Sequence, residues 1–128
     1  MMHNKAHEIK RQQKKSLYLR VISQLIHPLI NEDKVIPPMF ASRLELSKDA
    51  GICYVYFSSA DAGDQRQVVE GALKVLILYK PSLRTALAKA TQARRVPDLV
   101  FLYDEQHEKE RRINDLLDKV CEDLDTKK

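Results

Sequence analysis

"RLELSKDAGICYVYFSS" (residues 43–59) is the stretch that decides the fold. Leu44 and Leu46 alternate with Arg43 and Glu45, "KDAG" supplies turn residues, and "ICYVYFSS" is rich in aromatic and β-branched side chains. That combination is the signature of a β-hairpin. The first strand extends back to Met39, and its alternation predicts Phe40 on the apolar side with Leu44 and Leu46. The second strand (52–59) is apolar on both faces over most of its length, which fits a central strand.

A central strand needs a neighbour on its other edge, and "VPDLVFLYD" (96–104) supplies it. Pro97 fixes the start, and Leu99, Phe101 and Tyr103 alternate with Val100 and Leu102. Between these two strands Val68, Val69, Ala72, Leu73, Leu76 and Tyr79 recur at helical spacing. "KPS" (80–82) interrupts, and the pattern resumes with Leu83, Ala86, Leu87 and Ala90, predicting two helices joined by a kink of almost no length. A helical crossover returns the chain in the same direction, so strands two and three should pair parallel. Upstream of the hairpin, Tyr18, Val21, Ile22, Leu25, Ile26 and Leu29 fill one arc of a helix that Pro28 should end or kink. "NEDKVIPP" (31–38) and "DAGDQ" (61–65) read as loops, with Asp64 or a neighbour capping the next helix. After strand three, Ile113, Leu116, Leu117 and Val120 predict a terminal acidic helix that docks on the body while its end frays. The fold class is α+β: α-β-β-α-kink-α-β with a C-terminal helix, a three-stranded mixed sheet and helices on one of its faces. Residues 1–15 read as a basic extension that leaves the body, 16–121 as the domain, and 122–128 as a tail.

The 128 residues suit one domain, and 44% hydrophobic with 31% charged composition suits a folded chain rather than a disordered one. No apolar run approaches the roughly 18 residues of a membrane helix, and the N-terminus is too polar for a secretory signal. Cys53 and Cys121 form no disulfide framework, which points to a reducing cytoplasm. His3, His7, His27 and His107 form no ligand cluster, and none of the three glycines builds a phosphate-cradling loop. No nucleophile–base pair is visible, and Asp104 and Glu105, adjacent at a strand end, point opposite ways. The expectation is a protein without enzymatic activity, cofactor or metal.

Charge is the more informative signal. Residues 1–20 carry six Lys or Arg against Glu8 alone; residues 80–97 carry five and no acid; residues 98–128 carry six against ten acids. Two cationic blocks on a near-neutral body indicate a polyanionic partner. The candidate RNA-binding residues are Lys10, Arg11, Lys14 and Lys15 in the first block and Lys80, Arg84, Lys89, Arg94 and Arg95 in the second. Arg84, Ala88, Thr91 and Arg95 follow at steps of four, three and four, a small-residue helix face flanked by cations that lets a phosphodiester backbone come close.

The element order, with "ALKVL" (72–76), "LRTALAKATQARRVPDLVFLYDE" (83–105) and "RINDLL" (112–117), resembles the ribosome-binding factor A family over roughly residues 8–120. The resemblance implies a type II KH-like fold and binding to the immature small ribosomal subunit through its rRNA; the chain is expected to be a monomer. The resemblance further implies a role late in rRNA processing, in the cytoplasm of bacteria or in bacterially derived organelles. In that family the KH signature loop is replaced by a helix–kink–helix, typically with an Ala-x-Gly tripeptide; this chain has Tyr79-Lys80-Pro81 there. The family's Ser or Thr two residues after the aspartate ending strand three is Gln106 here, following Asp104. The alternative function is a protein-interaction module that uses the acidic C-terminal helix or the open sheet face without direct RNA binding.

Overall fold

Ser47 closes the hairpin. Its N–H donates to the Ile52 carbonyl, its own carbonyl accepts from Ala50 N–H, and its Oγ accepts from Ile52 N–H, each at 2.9 Å. Asp49 Oδ1 takes the Gly51 N–H at 3.0 Å, and Ala50 rather than Gly51 adopts the left-handed conformation (φ 58°). The computed structural model describes residues 2–32, 37–59, 61 and 65–126. Strands β1 (Met39–Leu46) and β2 (Ile52–Ser59) pair antiparallel, and β3 (Asp98–Tyr103) pairs parallel on the other edge of β2. The central position of strand two and the mixed sheet are as the sequence predicts.

One side assignment is wrong. The register slips between Ala41 and Arg43, so Ser42 is an extra residue in β1. Such a bulge reverses the phase of alternation. Met39, Ala41, Leu44 and Leu46 therefore face the core side with Cys53, Val55 and Phe57, while Phe40 lies on the outer face, 42% exposed against His107.

The helices cover the core face. Helix α1 (Met2–Glu32) lays Tyr18, Val21, Ile22 and Ile26 on the sheet. It runs through Pro28 to Glu32 instead of ending there. Proline removes one backbone hydrogen bond, and Leu29 and Ile30 beyond it still pack against the core. Helix α2 (Arg66–Leu76) passes through a 3-10 turn (Ile77–Tyr79) into α3 (Lys80–Thr91). The junction thus precedes "KPS", and Pro81 sits in the first turn of α3, where its missing N–H has no partner to lose. Phe57 and Phe101 meet edge to face at 5.5 Å, and Ile22, Val55, Leu76, Leu87 and Leu99 are fully buried around them. Burial pushes the Cys53 thiol up to about 12, so it is a small core hydrophobe, as expected. The opposite sheet face stays partly open, with Tyr54, Tyr56 and Val100 half-buried.

Helix α4 (Glu105–Thr126) corrects two expectations. It continues past residue 121, so most of the predicted tail is helical. It also does not dock beyond its first two turns: every side chain from Arg112 to Leu124 is exposed. Asn31 and Glu32, read as loop, end α1, while residues 33–36 and Asp64 lie outside the described residues.

Candidate nucleic-acid interface

Parallel pairing places the starts of β2 and β3 at one end of the sheet, where the Asp98 N–H donates to the Gly51 carbonyl at 2.9 Å. The hairpin turn and the 92–97 connection entering β3 meet there. The other end holds the exits of β2 and β3, where the Asp104 N–H donates to the Phe57 carbonyl, and from it α4 departs. About 17 Å of strand separates the two ends.

Arg84, Lys89, Arg94 and Arg95 lie toward the first end. Helix α3 stops at Thr91 because Gln92 turns left-handed (φ 54°) and the Ala93 N–H returns to the Ala88 carbonyl at 3.2 Å. Arg94 and Arg95 are therefore in the connection, not on the helix, and the predicted face through Arg84, Ala88, Thr91 and Arg95 ends at Thr91. Both arginines are exposed, and neither they nor the exposed Lys89 has a hydrogen bond or ion pair among the described residues. Arg84 is differently placed. Its Nε donates to the Pro97 carbonyl and its Nη2 to the Val96 carbonyl, both at 3.3 Å, tying α3 to the entrance of β3. Pro81, Arg84, Thr85, Ala88, Lys89 and Val96 line a shallow hollow there, and the small side chains leave its floor accessible. Thr85 and Thr91 spend their hydroxyls on the carbonyls of Pro81 and Leu87, at 2.9 and 2.7 Å. Lys80 is half-buried, its Nζ 5.8 Å from the Phe101 ring centroid. Ile77 and Leu78 are 46% and 78% exposed at the junction, apolar side chains that helical spacing alone did not single out.

The α1 block divides in the same way. Arg11 is half-buried and caps the hairpin end, donating to the carbonyls of Leu46, Ser47 (2.9 Å) and Lys48 (3.4 Å). Lys15 pairs with Glu45 at 2.9 Å. These two cations hold α1 to the hairpin from Arg11 onward, so the helix does not leave the body at residue 15: the carbonyls and carboxylate of a distant turn accept what no core could. Lys10 is exposed without a partner among the described residues, and the exposed Lys14 lies 5.7 Å from the Tyr18 ring centroid.

At the opposite end the acidic residues have structural partners. Asp104 is buried (2% exposed) and caps α4, its Oδ1 accepting from the His107 N–H at 3.0 Å. Oδ2 accepts from the Ser42 hydroxyl at 2.6 Å and from Arg43 Nε at 3.2 Å, and the Arg43 guanidinium stacks 3.8 Å from the Tyr56 ring centroid. Burial raises the carboxyl's pKa, but the Ser42 and His107 hydrogen bonds and the Arg43 charge outweigh it and hold it below its ordinary value. Glu105 pairs with Arg66. Sequence reading treated Asp104 as a strand stop; its role as a pin between the bulge, β3 and α4 went unread.

The family profile described as ribosome-binding factor A matches residues 10–117. Ribosome-binding factor A of Malacoplasma penetrans is 32% identical over 112 residues, covering 88% of this chain and 92% of its own. That of Syntrophomonas wolfei is 33% identical over 116 residues, covering 89% and 93%. The crystal structure of ribosome-binding factor A from Thermus thermophilus aligns with a TM-score of 0.61 at 28% identity, over 73% of this chain and 93% of that one. A homology model of the Thermus thermophilus factor, as fitted into a cryo-EM map of a 30S complex with that factor, aligns with a TM-score of 0.56 at 29% identity, over 70% and 89%. With the predicted element order, the mixed sheet and the helix–turn–helix crossover all present, the chain belongs to the ribosome-binding factor A family.

Proposed function

We propose that this protein binds the immature small ribosomal subunit in the bacterial cytoplasm through its rRNA and assists late maturation, acting by binding rather than catalysis. The observation that carries the reading is the convergence, at one end of the sheet, of cations without partners among the described residues. Lys89, Arg94 and Arg95 project from α3 and the 92–97 connection, beside a hollow floored by small side chains. A phosphate backbone needs that combination of close approach and mobile charge. Lys10 and Lys14 on α1 extend the field from the same end, and Lys80 and Arg84 add charge while holding the local fold. The boundaries at residues 15 and 121 fall inside helices, since α1 runs unbroken through the first and α4 through the second. Family membership supports the subunit as partner, as does the 30S complex of the Thermus thermophilus factor. No helix among the described residues is long and apolar enough to cross a membrane. The test is co-sedimentation with purified immature small subunits across a salt series. Binding should weaken steeply with salt and be lost on nuclease treatment of the subunits; salt-insensitive, nuclease-resistant binding would refute direct rRNA contact.

A further inference from the structure

Helix α4 poses a physical problem that RNA binding does not solve. Ile113, Leu116, Leu117, Val120 and Leu124 are 53–62% exposed. Their spacing of three, one, three and four residues confines them to roughly a 100° arc of the helix. Between residues 113 and 124 the rest of the surface carries Asp115, Asp118, Glu122 and Asp123 against Lys119 alone. The segment from Arg112 to Thr126 projects about 20 Å beyond the body. A contiguous apolar stripe of this kind on an otherwise polar surface marks a binding face.

The base of the helix is held firmly. Asp104 caps it, Tyr103 Oη donates to Glu108 at 2.8 Å, and Arg111 Nη1 donates to the Asp61 carbonyl at 3.1 Å. These contacts fix the direction in which the stripe projects, from the sheet end opposite Arg94 and Arg95. The two surfaces can therefore be occupied at once.

We propose that α4 beyond Arg111 docks on a basic, amphipathic protein segment of the small ribosomal subunit. The subunit presents phosphate or basic polypeptide. Phosphate is repelled by the four carboxylates and has no use for an aliphatic stripe. A cationic helix or strand with an apolar ridge satisfies both features, burying the stripe and pairing with the acidic flanks. The inference rests on the small-subunit reading above.

The test uses the full chain with two modifications. A photo-crosslinking benzophenone amino acid replaces Leu116, and a separate variant combines Leu117→Gln, Val120→Gln and Leu124→Gln. Irradiation with purified immature small subunits should give an RNase-resistant, protease-sensitive adduct with a subunit protein. Since the three side chains are exposed, the variant should melt as the wild type does and bind naked rRNA fragments equally well. Its affinity for subunits should fall roughly a hundredfold, the equivalent of burying three half-exposed aliphatic side chains. An adduct to RNA, an adduct between two copies of this chain, or a variant within threefold of wild type would overturn the inference. Those results leave the rRNA reading standing, because wild-type binding remains salt-dependent; a wild type that ignored the subunits altogether would sink both.

Discussion

Replacing Arg94 and Arg95 by alanine isolates the charge at the sheet end, because neither side chain has a partner among the described residues and both are exposed. The substitution should therefore leave stability within about 0.5 kcal/mol of wild type and the melting temperature within about 3 °C. Each phosphate contact contributes about 0.7–0.9 to the slope of log K against log salt, depending on whether the strand is single or duplex. Loss of two contacts lowers the slope by about 1.4–1.8. At 0.1 M salt that is roughly a 25- to 60-fold loss of affinity, since the factor is ten raised to the change in slope. Sedimentation or filter binding with immature subunits at several salt concentrations gives both quantities. Arg84 is unsuited to this pairing, as its removal also releases the Val96 and Pro97 carbonyls. If the Arg94/Arg95 variant folded normally and kept the wild-type slope, the phosphate contacts would have to be assigned elsewhere, and Lys10 and Lys14 on α1 would be next.

Arg11→Ala should destabilise the fold by about 1–2 kcal/mol, read as a lower urea midpoint, because the guanidinium satisfies carbonyls at the hairpin end; an unchanged midpoint would show the cap to be dispensable. Pro81→Ala should change stability by less than about 0.5 kcal/mol and keep the 3-10 junction, since Pro81 occupies a first-turn position; nuclear magnetic resonance showing one continuous helix from 66 to 91 would assign the junction to proline. The Asp104 carboxyl titrates below its ordinary 3.8 in the folded protein, so its stabilisation is full above that value and fades as pH falls through the lower folded pKa. Asp104→Asn should be less stable than wild type near neutral pH, with the gap narrowing below about pH 4; a gap constant down to pH 2 would contradict the proposed latch.

Local signals made the hairpin legible. Alternation, turn residues and a doubly apolar second strand all lie within 43–59, and the crossover rule then supplied parallel pairing for β3. The bulge was not legible, because "MFASRLEL" alternates acceptably with or without an extra residue. What holds Ser42 there is Asp104, 62 positions away. The end of α3 was missed for a related reason: the left-handed cap falls on Gln92, which carries none of the glycine or asparagine signal that marks such positions. Pro28 marks the end of α1 only to within a turn, since Leu29 and Ile30 beyond it find core contacts that a sequence rule about proline cannot weigh.

For the site, charge counting found the cationic blocks but could not sort their members. Arg84 and Arg95 read alike in sequence, yet one guanidinium is bonded to two carbonyls and the other is free among the described residues. The deciding factor is the path of residues 96–97 past α3, a tertiary fact. Arg11 and Lys15 likewise rank with the RNA-binding candidates in sequence, although hairpin acceptors hold them. The segregation along "ARRVPDLVFLYDE" has a physical basis that the fold makes plain. A strand exposes its two ends to different surroundings, here a cationic connection beside the hairpin turn and a capped acidic helix about 17 Å away. Opposite charges at the two ends of one short strand therefore do not neutralise each other, since at physiological ionic strength a Debye length is about 8 Å. Moving Arg94 and Arg95 next to Asp104 would keep the composition and net charge while pairing the cations internally, and subunit binding should then fall as far as in the double alanine variant.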